Sequence, residues 1–196
     1  MTMKYSTIIF DLDGTLVDSK INFPAIYERL NLDPEHSIIE HVNNLKDEDD
    51  RQAALAIVHQ YEAEGADNSK LMPGVWELVQ ELINRKVNIG VFTLNSRAIA
   101  HKTLERHGLK TSIVVTREDA KPKPDPEGLL KICDHFSTPK NQALYVGDYK
   151  YDLIAGKNAN IKTALYVSTT PGFNTDEAYL QFTHYSELSQ YLFMNQ

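Results

Sequence analysis

Carboxylates, a hydroxyl and lysines recur in this chain at places where strands should end. The first group is Asp11-Leu12-Asp13-Gly14-Thr15, directly after the apolar run Ile8-Ile9-Phe10. Thr93 closes a second apolar run, and Lys121 and Lys123 stand in a proline-rich loop. Gly147-Asp148 follows a third run, with Asp152 four residues on. Crowded carboxylates repel one another, and a cation between them makes their ionised forms tenable. Hard oxygen ligands without nitrogen or sulfur neighbours select Mg²⁺, which keeps waters and shares its coordination with a phosphate. Mg²⁺, a lysine and a hydroxyl donor together neutralise a phosphoryl group. One carboxylate beside the metal can attack phosphorus and form an aspartyl phosphate. A second carboxyl two residues away can protonate the leaving oxygen and then activate water. Gly14 allows the tight bend that keeps the following chain clear of a substrate.

Such convergence requires parallel strands, because open parallel sheets bind ligands at the carboxyl ends of their strands. The hydrophobic pattern supplies them. Strands are expected at Tyr5 to Phe10, Val87 to Thr93, Ile113 to Val115, Ala143 to Val146 and Thr163 to Val167. Helices are expected after Pro73-Gly74, from Ser96 to His107 with Gly108 as C-cap, from Glu127 to His135 and from Tyr151 to Asn158. Prolines 122, 124 and 126 make Lys121 to Pro126 a loop. The alternation reads as an α/β fold, a Rossmann-like parallel sheet covered on both faces.

Residues 19 to 72 break the rhythm. No convincing strand shows there, and helical stretches are expected at Phe23 to Leu32, Glu35 to Val42 and, most clearly, Asp50 to Glu64. The block reads as an inserted helical cap, residues 19–72, with the catalytic core formed by 1–18 and 73–196. The cap holds 11 acidic and 5 basic side chains, a net of −6, out of −7 for the whole chain. The acidity argues against a nucleic-acid or anionic-membrane partner, which demands basic patches. It suits a small substrate. No apolar run is long enough to span a membrane. The short run before Asp11 is no signal-peptide core, and the single cysteine, Cys133, fits a reducing compartment. A cytoplasmic location is the expectation.

The four groups, in order, resemble the signature motifs of the haloacid-dehalogenase superfamily in its phosphatase form. Asp11 to Ser19 resembles the first motif, Val91-Phe92-Thr93 the second, Lys121 to Glu127 the third, and Val146-Gly147-Asp148 through Asp152 the fourth. Met72-Pro73-Gly74-Val75 resembles the segment re-entering the core after a cap. The nearest members are phosphoglycolate-phosphatase-like, with a small helical cap inserted after the first strand. The resemblance implies that Asp11 is the nucleophile and a Mg²⁺ ligand. It makes Asp13 the general acid/base, with its backbone carbonyl on the metal. It implies that Thr93 binds the transferring phosphoryl group, Asp148 completes the metal ligands and Asp152 supports them. Lys121 and Lys123 compete for the phosphate-binding lysine, and the spacing to Asp148 favours Lys123. The second motif departs from the pattern, because Leu94 intervenes before Asn95, a further candidate for substrate binding. Asp13 speaks against haloacid dehalogenation, whose enzymes lack that second aspartate.

The expected activity is Mg²⁺-dependent hydrolysis of a small phosphorylated metabolite through an aspartyl-phosphate intermediate. A β-phosphoglucomutase-like phosphomutase resembles the same motifs and is the nearest alternative. A non-catalytic phospho-ligand-binding module is the alternative from another class.

Overall fold

A computed structural model describes residues 4–194. Strand β1 (Thr7–Phe10) leads into a short hairpin arm, β2 (Val17–Asp18). Helices α1 (Phe23–Arg29), α2 (Ile38–Asn44) and α3 (Glu48–Asn68) follow. Strand β3 (Lys70–Leu71) then pairs antiparallel with β2. The rest alternates: α4 (Val75–Asn84), β4 (Asn88–Phe92), α5 (Arg97–Arg106), β5 (Ile113–Val115), α6 (Glu127–His135), β6 (Ala143–Gly147), α7 (Lys150–Ala159), β7 (Lys162–Tyr166), β8 (Leu180–Phe182) and α8 (Tyr185–Phe193).

Six strands form one parallel sheet in the order β5-β4-β1-β6-β7-β8. Every residue of β1, β6 and most of β4 is buried, which explains why these strands read as continuous apolar runs. One face packs on α4, α5 and α8 through Leu78, Leu104 and Leu188. The other packs on α6 and α7 through Ile132 and Ala155. The expected α/β sheet is therefore present, and larger by one strand. Strand β8 and α8 add an edge whose weak signal, Leu180-Gln181-Phe182, is too short for periodicity. Helix α7 ends at Asn160 with φ 57°, the left-handed cap that Asn tolerates next best after Gly.

The segment between residues 19 and 72 is helical, with two corrections. Strand β3 lies inside it, so the chain leaves and re-enters the sheet region through a two-stranded ribbon. Such a two-residue strand carries no pattern of its own. Helix α3 runs 21 residues, longer at both ends than expected; it starts earlier because Asp47 caps it by accepting from the Asp49 and Asp50 amides. The three helices bury a separate apolar cluster of Ile26, Ile38, Ile39, Val42, Ala54 and Val58. Leu94, the residue that interrupts the second motif, packs on that cluster from the sheet side.

Candidate active site

Register decides what meets. Phe10 of β1 lies opposite Val91 of β4 and Val146 of β6, so the next residues of all three strands emerge together. Asp11, Thr93 and Asp148 therefore converge where the chain order switches across β1. They line one cavity of about 1120 Å³ with Asp13, Asn95 and Lys123.

Lys123 is 4% exposed and holds the centre. Its Nζ donates to Asp11 Oδ1 at 2.5 Å and to Asp152 Oδ1 at 2.8 Å. Burial alone would lower its basicity, but the charges of Asp11 and Asp152 override it and hold the ammonium charged. Asp152, in the first turn of α7, also accepts from Tyr145 Oη at 2.6 Å and from the Asp148 and Tyr149 amides at 3.2 and 3.0 Å. Both its oxygens are thus engaged by protein donors. Gly147 permits this approach: a Cβ there would stand 2.4 Å from Asp152 Cγ.

The other carboxylates are differently held. Asp148 Oδ1 accepts from Thr15 Oγ1 at 2.9 Å. Its Oδ2 would lie 2.2 Å from a Cβ on Gly14, whose φ of +79° also suits glycine. Asp13 Oδ2 accepts from Asn95 Nδ2 at 2.7 Å, and Thr93 Oγ1 accepts from the Asn95 amide at 3.1 Å. Asn95 thus joins the two chain ends that carry Asp13 and Thr93. Lys121 does not join them. Its side chain is 73% exposed and lies 3.8 Å from Asp125, while its amide donates to Glu127. Of the two competing lysines, only Lys123 lies in the cavity, because the loop turns between them and sends Lys121 to solvent.

Burial raises the Asp11 carboxyl well above its ordinary value; Lys123 opposes this, and the charges of Asp152 and Asp148 add to it. Asp148 is pushed up to about 7, by burial first and then by Asp152. Asp13 is raised by burial, against hydrogen bonds from Ser19 and Asn95. Four acids thus share one lysine, and one oxygen each of Asp11, Asp148 and Asp152 lie within 4.8 Å of one another. No histidine or cysteine lines the cavity among the described residues. An all-oxygen, anion-rich set of this kind fits a hard divalent cation. Asp11 and Asp148 are its natural holders, since Asp152 is already saturated.

Three supporting residues escape a sequence reading: Thr15 on Asp148, Tyr145 on Asp152 and Ser19 on Asp13. Thr15 and Ser19 stand within the first motif's own run, and that adjacency was the only available signal. Tyr145 looks like one more apolar strand residue.

The model of the haloacid dehalogenase-like hydrolases matches residues 8–166. The chain belongs to that family. It is 31% identical over 174 residues to a haloacid dehalogenase-like hydrolase domain-containing protein of Arabidopsis thaliana, covering 83% of this chain and 71% of that one. It is likewise 31% identical over 202 residues to the pyrophosphatase PpaX of Bacillus cereus strain Q1, covering 90% of each. Among solved structures, a subfamily IA hydrolase of this superfamily from Geobacter sulfurreducens superposes with a TM-score of 0.70 at 25% identity, over 96% of this chain and all of that one. A predicted phosphoglycolate phosphatase of Haemophilus somnus shares the fold, with a TM-score of 0.73 at 20% identity, over 97% and 99% of the two chains. The chain is thus an enzyme, a haloacid dehalogenase-like hydrolase. Among the described residues no helix is long and apolar enough to cross a membrane.

Proposed function

We propose that the chain is a Mg²⁺-dependent phosphatase that hydrolyses a small phosphate monoester through an aspartyl phosphate on Asp11. The observation that carries this reading is the Lys123 bridge. Lys123 takes Asp11 Oδ1 and leaves Oδ2 outside that bond, on a residue that lines the cavity and has one carboxylate oxygen within 4.8 Å of Asp148. Asp11 Oδ2 attacks phosphorus, and Lys123 and the Thr93 hydroxyl face the charge that develops on the phosphoryl oxygens. Burial shifts the Asp13 carboxyl upward, toward the protonated form that a general acid uses, and Asn95 orients it. It gives its proton to the leaving oxygen and then takes one from the water that opens the acyl phosphate. Bound beside Asp11 and Asp148, Mg²⁺ would supply charge neutralisation at the phosphoryl oxygens. Asp152 acts through Lys123 and the Asp148 backbone as a positioning residue.

In the same reading residues 19–72 are a cap, hinged on the β2–β3 ribbon, that excludes bulk water and selects substrate. The substrate is a small phosphorylated metabolite, and the site of action is the cytoplasm. The acidic composition supports a substrate that is neither nucleic acid nor membrane.

Phosphate release from p-nitrophenyl phosphate with Mg²⁺, then with a chelator, tests the reading. Asp11→Asn should lower kcat by about 10⁴-fold with the far-UV spectrum unchanged. Wild-type turnover in that variant, or in chelator, would refute it. Isomerisation of a phosphohexose without net phosphate release would turn the same chemistry into a mutase.

A further inference from the structure

Glu62, in the middle of α3, is 5% exposed, unlike the solvated acids at the start of that helix. Its Oε1 is ion-paired with Arg117, from the loop after β5, and the two side chains are 6% and 10% exposed. Arg117 Nη1 also donates to the Leu94 carbonyl at 2.9 Å. The carboxylate is therefore fixed against the loop that carries Thr93 and Asn95. Its other oxygen, Oε2, is buried and makes no hydrogen bond among the described residues. The Ser96 backbone acts on the carboxylate as a donor would, but it forms no hydrogen bond to Oε2. Glu62 lines the same cavity as Asp11 and Asp13, and the Asp13 charge acts on it. Buried carboxylate oxygens are rarely left without a donor, so one belongs here.

The charge of the cavity wall says which donors are admissible. Lys20 and Lys123 are the only basic residues lining it among the described residues. Lys123 is committed to Asp11 and Asp152. Lys20 is 70% exposed and paired with Asp18 at 2.6 Å. A substrate with a second anion beyond its reacting phosphate would find no cation there and would face Glu62. The rest of the wall combines apolar and aromatic residues such as Ile26, Val58, Tyr27 and Tyr149 with the polar or acidic Glu28, Asn31, Asp33 and Ser37, and it adds no cation.

We propose that Glu62 is a specificity-determining acceptor, and that the chain prefers phosphate monoesters whose leaving group carries a hydroxyl or ammonium donor and no second anion. The proposal rests on the phosphatase reading above and narrows its substrate class. It sets this chain apart from the activities that its relatives' names state, since pyrophosphate and phosphoglycolate both carry that second anion.

The test compares kcat/KM with Mg²⁺ for glycerol 3-phosphate, O-phosphoethanolamine, 2-phosphoglycolate, pyrophosphate and p-nitrophenyl phosphate. The two donor-bearing esters should exceed the two substrates that carry a second anionic group by about tenfold or more, and their ranking tells hydroxyl from ammonium. In Glu62→Gln, Arg117 retains the amide oxygen and an N–H group turns toward the cavity. The ratio of glycerol 3-phosphate to 2-phosphoglycolate should then fall about tenfold. Equal or faster turnover of 2-phosphoglycolate or pyrophosphate by the wild type overturns the proposal, whether or not the variant folds. A parallel loss on every substrate in Glu62→Gln also overturns it, leaving Glu62 as a partner of Arg117 alone. Release from p-nitrophenyl phosphate without any preference refutes the proposal and spares the phosphatase reading. No release from any of the five refutes both.

Discussion

Acidic side chains serve opposite ends in the two parts of this molecule. At the sheet edge, Asp11, Asp148 and Asp152 crowd around one lysine, and Asp152 alone receives four donors. Between residues 19 and 72, Glu48, Asp49 and Asp50 are exposed and serve a helix start, where the macrodipole favours them. Only Glu62 among those acids is both buried and part of the cavity wall. Charge that must react is held rigidly by backbone geometry at strand ends. Charge that need only keep the surface solvated is spread over helices. Disturbing the first region should therefore damage chemistry and stability together, while disturbing the exposed acids of the second should leave the chemistry untouched, Glu62 excepted.

The strongest way to break that contrast is to remove Lys123. Lys123→Met leaves Asp11 and Asp152 buried without their cation. Stability should fall by about 3–5 kcal/mol in urea unfolding, because an uncompensated buried charge remains. Hydrolysis of an aryl phosphate should fall by about 10³-fold or more. Lys121→Met, two residues away and exposed, should stay within about 0.5 kcal/mol of the wild type. Similar losses from both variants would refute the central role given to Lys123.

The same crowding gives a pH signature in metal-free protein. Asp148 moves from an ordinary 3.8 to about 7 in the fold, and Asp11 and Asp13 move in the same direction. Between those values the native state keeps protons that the unfolded chain has released. Stability is then present in full below about pH 4 and is lost as pH rises toward about 7. In chelator, the unfolding temperature should drop across that window. Saturating Mg²⁺ should flatten the curve, since a cation replaces the bound protons. A melt whose slope is the same with and without metal would remove the case for a cation at Asp11 and Asp148.

The sheet and its site were legible for one shared reason. In a buried parallel strand the apolar run ends where the backbone leaves the core, so Asp11, Thr93 and Asp148 announce both strand end and site. Lys123 was favoured over Lys121 only through its spacing to Asp148, because whether a loop side chain turns inward is decided by packing that no local pattern records. Glu62 was invisible: it sits in an acidic helix beside the equally acidic Glu64, and only Arg117, 55 residues away, distinguishes it. Strand β8 and the β2–β3 ribbon are stabilised by pairing, and segments of three and two residues carry no period to read.

A smaller perturbation tests how closely the first motif wraps the fourth. In Gly14→Ala the new methyl would overlap the Asp148 carboxylate at 2.2 Å, on a backbone with φ of +79°. A loss of about 1–3 kcal/mol is expected, with weaker Mg²⁺ dependence of turnover as Asp148 shifts. An unchanged metal requirement would mean that Asp148 moves freely and that the contact with Gly14 constrains nothing.

The smallest effect expected is in the helices. Val58 is 3% exposed in α3 and packs in the cluster with Ile26, Ile38 and Val42. Val58→Ala removes two methyl groups from that cluster and should cost about 1–2 kcal/mol. Where that cost appears is the informative part. The cluster itself takes only Leu94 from the sheet side, and the other ties run from the far part of α3 through Glu62–Arg117 and Asp67–Lys102, so α1, α2 and the start of α3 should open while the sheet stays closed. Amide exchange in α1, α2 and the start of α3 should then speed up by about tenfold, the factor that corresponds to ~1.4 kcal/mol. Protection in β1, β4 and β6 should be unaltered. If those strands accelerate in parallel, the helices and the sheet unfold together, and the division of the chain into core and cap describes its shape but not its energetics.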